Sequence, residues 1–133
     1  MFTKVHHVTY VVESCDQMAD YLKNSFGLEP EKTGEHADRK FLLYHIGETI
    51  MDFFEPTTED SGIARQLKES GPGVAHVAWG VEGIDSVFQD LKARGNQLRG
   101  DAPSNSPFGY KTLNISTDSS HGILFQLAEG EES

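Results

Sequence analysis

Two histidines and two oxygen-bearing side chains recur at matched places in this chain. His7 and His76 lie 69 residues apart, and Asp52 and Gln126 lie 74 apart. Each histidine falls in an alternating, strand-like run, Val5 to Val12 and Val74 to Val81, in which it points away from the bulkiest apolar residues. Asp52 and Gln126 fall in apolar runs, Ile50 to Phe54 and Ile123 to Leu127. Alternation puts Asp52 on a face with Ile50 and Phe54, where a carboxylate is costly unless it is paired or bound. Gln126 is in the same position. Two imidazoles, a carboxylate and an amide oxygen suit a borderline divalent cation, with positions left for water or substrate. His6 points to the face opposite His7, whereas His36, His45 and His121 lie outside the alternation and read as solvated.

The elements that must position these groups show an internal repeat. Sliding the chain by 69 residues lays Val5–Lys23 on Val74–Lys92 with eight of 19 positions identical. Two copies are too few for a solenoid, so the repeat predicts a duplicated module in one compact domain. Each strand runs into a helical pattern. The first opens with the capping box Ser14 and Gln17, presents Met18, Leu22 and Phe26, and stops at Gly27; the second presents Ile84, Val87, Phe88 and Leu91 and stops at Gly95. Further strands are expected at 40–46, 49–54, 111–116 and 123–127, and an extra helix at 61–69. Gly71-Pro72-Gly73 is the seam, Ser104–Gly109 a loop and Glu129–Ser133 a frayed acidic tail. If the halves pair pseudo-symmetrically, the four candidate ligands converge in one cleft.

At about 150 residues per domain, 133 residues make one domain. A net charge of −10 weighs against nucleic acid and anionic membranes as partners. The longest apolar run, Phe41 to Tyr44, is far short of the ~20 residues a membrane span requires. Cys15 is the single cysteine, and the first residues lack a long apolar stretch, so a reducing, cytoplasmic setting is expected.

A βαβββ module used twice around a shared metal site resembles the vicinal oxygen chelate superfamily, which includes glyoxalase I, extradiol dioxygenases, bleomycin-resistance proteins and methylmalonyl-CoA epimerase. Gly47-Glu48-Thr49-Ile50-Met51-Asp52-Phe53-Phe54-Glu55-Pro56 is similar to the epimerase branch's G-x-T-x-x-E-L-L-x-P strand. Asp60–Leu67 resembles D-S-P-I-A-x-F-L, Gly73–Ala78 resembles G-x-H-H-I-A, and His121–Leu127 stands where that branch has G-G-V-L-x-E-L.

The resemblance implies an α+β fold, two repeated βαβββ modules forming one cup-shaped mixed-sheet domain over 1–133, with halves at about 4–70 and 73–129. It implies His7, Asp52, His76 and Gln126 as ligands of one divalent ion (Co, Ni, Mn, Zn or Fe), and a base before the second strand, Glu35 or His36. The substrate would be a small acyl thioester, such as one of coenzyme A or glutathione, or a related α-oxygenated small molecule, and the assembly a homodimer. The implied activity is that of a metal-dependent lyase or isomerase stabilising an enolate, closest to methylmalonyl-CoA epimerase. The alternatives are a glyoxalase I-type lactoylglutathione lyase, an iron-dependent dioxygenase and a non-enzymatic resistance-type binding protein. Two departures from the family pattern stand out. Asp52 is shorter than the usual Glu or Gln, and Gln126 replaces a Glu that handles a proton, which an amide cannot do near neutral pH.

Overall fold

The computed structural model describes residues 1–131. Its elements run β1 (Lys4–Val11), α1 (Cys15–Phe26), β2 (Lys32–His36), β3 (Arg39–Ile46), β4 (Thr49–Pro56), α2 (Gly62–Ser70), β5 (Gly73–Gly80), α3 (Ile84–Ala93), β6 (Ser104–Asn105), β7 (Lys111–Asn114) and β8 (Phe125–Glu129). This is βαβββ, one extra helix, then βαβββ, an α+β fold with the module order that the family resemblance implies; β2 lies outside the strands expected from the residue pattern. Two compact units divide the chain, one of His7–Ala75, the other running from His76 onward together with Met1–His6.

In the first unit the strands lie in the order β2-β3-β4-β1, with β1 parallel to β4 and the other pairs antiparallel. Helix α1 begins where the capping box places it: the Ser14 side chain accepts from the Gln17 N–H, and Gly27 closes the helix at φ 69°. Leu22 packs with Val12, Cys15, Leu42, Tyr44 and Phe53. Phe26 departs from the expected stripe; it is 64% exposed and meets Tyr21 edge-on. Eight residues at about 100° each carry it some 80° past Met18, and it is the last residue of the helix.

In the second unit the order is β5-β8-β7-β6, with β5 parallel to β8. Its core joins Val81, Ile84, Val87 and Phe88 to Leu113, Ile115 and Leu127. The N-terminal segment belongs here: Thr3 N–H donates to Gly80 O at 2.8 Å, and Phe2 stacks on Trp79 at 5.2 Å. Strand β8 starts two residues later than expected, because 116–123 is folded on itself through Gly122 N–H to Thr117 O and Ile123 N–H to Ser120 O, with His121 at φ 58°. A two-residue strand, β6, occupies part of the expected loop. Gly71 caps α2, Gly73 opens β5, and the boundary between units falls after Ala75, just past the expected seam.

Glu129 corrects the sequence reading most. Instead of starting a frayed tail, it ends β8 and accepts from Gly83 N–H at 2.6 Å and Ile84 N–H at 2.9 Å. Residue 83, a glycine, gives α3 no side-chain cap of its own; the neighbouring strand supplies the acceptor that the first turn of the helix lacks. In the first unit Glu55 does the same for α1, accepting from Cys15 N–H at 2.8 Å. Each glutamate stands three residues beyond Asp52 or Gln126, so the strand that carries the oxygen donor is tied to its module's helix. The last two residues of the expected tail, Glu132 and Ser133, lie outside the described residues. We expect Glu129→Ala to lower unfolding free energy by about 1–2 kcal/mol in urea titrations, with Glu129→Gln between it and wild type. An unchanged midpoint in both would contradict the cap.

Candidate functional site

The first pair of candidate ligands is set by strand register. Along β1 and β4, His7 lies opposite Ile50 and Thr9 opposite Asp52; across β3, Leu43 is also opposite Asp52. Directly opposed residues share a face, so His7, Thr9 and Asp52 stand on one side of this sheet and Tyr10, Phe53 and Leu42 on the α1 side. His7 and Asp52 are both buried, Asp52 to 1% exposure. The Thr9 hydroxyl bonds the carboxyl group, yet Oδ1 has no hydrogen-bond partner among the described residues. Burial pushes Asp52 from an ordinary 3.8 up to about 7, against the opposing pull of the Thr9 bond, its own backbone amide and the Arg39 charge.

The second pair is built the same way in the other unit. Ala78 lies opposite Gln126, and His76 precedes Ala78 by two, so His76 and Gln126 share a face, with Val77, Trp79 and Leu127 on the reverse, core side. Both are half-buried. Gln126 Nε2 donates to Asn114 Oδ1 at 3.1 Å, a contact the sequence reading missed, as it missed Thr9. Among the described residues no three His, Cys, Asp or Glu side chains form a cluster of the kind that holds a metal ion; each unit offers a histidine with one oxygen donor. A buried carboxylate oxygen without a partner, with an imidazole on the same face, is chemistry that a cation would complete.

The remaining histidines have other roles. His6 is buried; its Nε2 bonds Gly130 O at 2.8 Å and its ring meets Tyr110 edge-on, fixing the N-terminal segment to the second unit. Burial lowers its pKa. His45 pairs with Glu31 on the surface.

For the base, register separates the two candidates. His36 lies opposite Arg39 and Glu35 opposite Lys40; Arg39, Phe41 and Leu43 share the Asp52 face, so His36 does too and Glu35 does not. Both are exposed. His36 is four residues along and two strands across from Asp52, roughly 16 Å at 3.3 Å per residue and 4.8 Å per strand. Arg39 is held by Asp38 at 2.8 Å with its guanidinium 4.7 Å above the Phe54 ring, and Lys111 pairs with Asp85 at 3.3 Å.

Comparison with known proteins agrees with this architecture. The profile of the Glyoxalase/Bleomycin resistance protein/Dioxygenase superfamily matches residues 6–107, and the chain belongs to that superfamily. It is 26% identical to a 4-hydroxyphenylpyruvate dioxygenase of Caenorhabditis elegans over 92% of this chain but 34% of the nematode protein. With the mitochondrial methylmalonyl-CoA epimerase of Bos taurus it shares 25% identity over 95% of this chain and 74% of the bovine one. The chain thus spans about a third of one relative and three quarters of the other. Among solved structures, a methylmalonyl-CoA epimerase matches with a TM-score of 0.87 and 26% identity, covering 99% of this chain and 98% of that one.

Between pH 4 and 7 the folded, metal-free protein holds a proton on Asp52 that the unfolded chain has released, so rising pH weakens the fold across that window. Asp52→Asn removes the buried acid. In chelator-treated protein at pH 8 we expect it to raise unfolding free energy, by an amount on the order of a few kcal/mol. A loss of stability instead would mean that the carboxylate is already satisfied without a cation.

Proposed function

We propose that the protein is a metal-dependent epimerase or isomerase that moves the α-proton of a small acyl thioester. The observation that carries this reading is the buried Asp52 oxygen without a partner on the face of His7. The names of the bovine relative and of the matched epimerase structure support the reaction class and a coenzyme A thioester as substrate. His7, Asp52, His76 and Gln126 would hold the cation. When bound, a divalent ion supplies positive charge where an enolate oxygen develops. His36, which shares the Asp52 face, takes the α-proton in preference to Glu35.

Gln126 sets the outcome. Inversion needs one group to remove the proton and another to return it from the opposite face, and a carboxamide does neither at useful rates. With methylmalonyl-CoA in deuterated water, we expect the wild type to incorporate label faster than it inverts the centre. Gln126→Glu should raise inversion relative to exchange, since it restores a carboxylate of the same length. Inversion by the wild type at the rate of exchange would show that another group delivers the second proton.

Metal content tests the ligand set directly. His76→Ala should lose the metal that wild type retains when purified without chelator. His6→Ala should retain it while melting at lower temperature, because it loses the Gly130 bond and the Tyr110 contact. Equal metal loss in both variants would contradict the assignment. Two histidines with one carboxylate, and the similarity to the nematode dioxygenase, also favour an iron-dependent oxygenase as a second reading. Turnover that requires oxygen would select it.

A further inference from the structure

The two units hold their oxygen donors from different sides. In the first, Asp52 receives its hydrogen bond from Thr9 on β1, and its β3 neighbour is Leu43. In the second, the matching neighbours of Gln126 are Ala78 on β5 and Asn114 on β7. Ala78 has no polar group to offer, and a polar side chain stands where the first unit has leucine. Strand pairing uses the backbone of Asn114 and places no demand on its side chain. That side chain is nevertheless engaged, with Oδ1 accepting from Gln126 Nε2 at 3.1 Å.

A carboxamide presents an oxygen on one edge and two N–H donors on the other, so as a cation ligand it works in only one of two orientations. With Asn114 Oδ1 as the acceptor, the bond occupies the nitrogen edge of Gln126 and turns Oε1 away from Asn114, the one arrangement that an aspartate at 114, which cannot donate, would also support. We propose that Asn114 is a positioning residue that fixes Gln126 with its carbonyl oxygen presented as a cation ligand. This rests on the reading of Gln126 as a ligand. A glutamate at 126 would have two equivalent oxygens and no nitrogen edge to restrain, so the need for an acceptor at 114 belongs to this chain's glutamine.

Nuclear magnetic resonance of the 15N-labelled, chelator-treated protein reads the orientation without metal. The Gln126 side-chain amide, identified by its loss in Gln126→Glu, should show one downfield proton with a weak temperature dependence. That signature should persist in Asn114→Asp, which can only accept, and vanish in Asn114→Leu. Asn114→Ala is the second variant should leucine disturb the strand. Calorimetric titration with zinc then reads the consequence. Asn114→Leu should weaken binding by about tenfold or more, Asn114→Asp should not weaken it, and with Gln126→Glu already present Asn114→Leu should cost less than about threefold. An amide signal unchanged in both Asn114→Leu and Asn114→Ala overturns the proposal, as does zinc affinity equal to that of wild type. Absence of zinc binding by the wild type overturns the ligand reading and the proposal with it, whereas binding that ignores Asn114 overturns the proposal alone.

Discussion

Burial of a carboxylate is the constraint to which the first unit answers. The pairing of β1 with β4 puts Asp52 opposite Thr9, and one hydroxyl does not replace the water that the carboxyl group gives up. Its remaining oxygen is unpartnered and its proton affinity is raised. Left metal-free, such a residue opposes folding. A one-residue slip in the register would send it to the α1 face, into a core of Leu42, Tyr44 and Phe53 that has no use for it. Glu55 ties the far end of β4 to the start of α1, the helix that packs over that core.

The second unit repeats the plan with a neutral donor, and the change of chemistry accounts for its different support. Gln126 carries no charge to desolvate, so it tolerates half-burial, but as the proposed ligand it has to present its oxygen and not its nitrogen. Asn114 meets that requirement from β7, where the first unit needs only Leu43. Glu129 meanwhile ties β8 to α3 as Glu55 ties β4 to α1. The repeat thus preserves the mechanical frame while each half adapts the groups around its own donor.

Much of this was legible in the sequence because it depends on period and spacing. The duplicated strand-and-helix pattern predicted the repeat, and alternation set His7 and His76 on equivalent faces and Asp52 and Gln126 among apolar neighbours; that each histidine shares a face with its oxygen donor follows from the pairing of the strands. What stayed hidden depends on contacts between residues far apart in the chain. Glu129 looked like part of an acidic tail because nothing local marks it as a cap for a helix that starts 45 residues earlier. Thr9 and Asn114 looked like ordinary strand residues, since a supporting hydrogen bond follows from register between strands. Which of Glu35 and His36 faces the Asp52 side depends on a one-residue shift that only the β2–β3 register shows, and there it is His36. The bond of His6 to Gly130, 124 residues away, is likewise marked by nothing local.

The most direct test of the central claim, that these paired donors exist to hold a cation, is cobalt(II) titration followed through the histidine ring resonances. The account predicts that one equivalent shifts and broadens the His7 and His76 signals together and leaves His45 and His121 close to their metal-free positions. Paramagnetic shifts centred on His45 or His121, or His7 and His76 responding to separate equivalents, would contradict it.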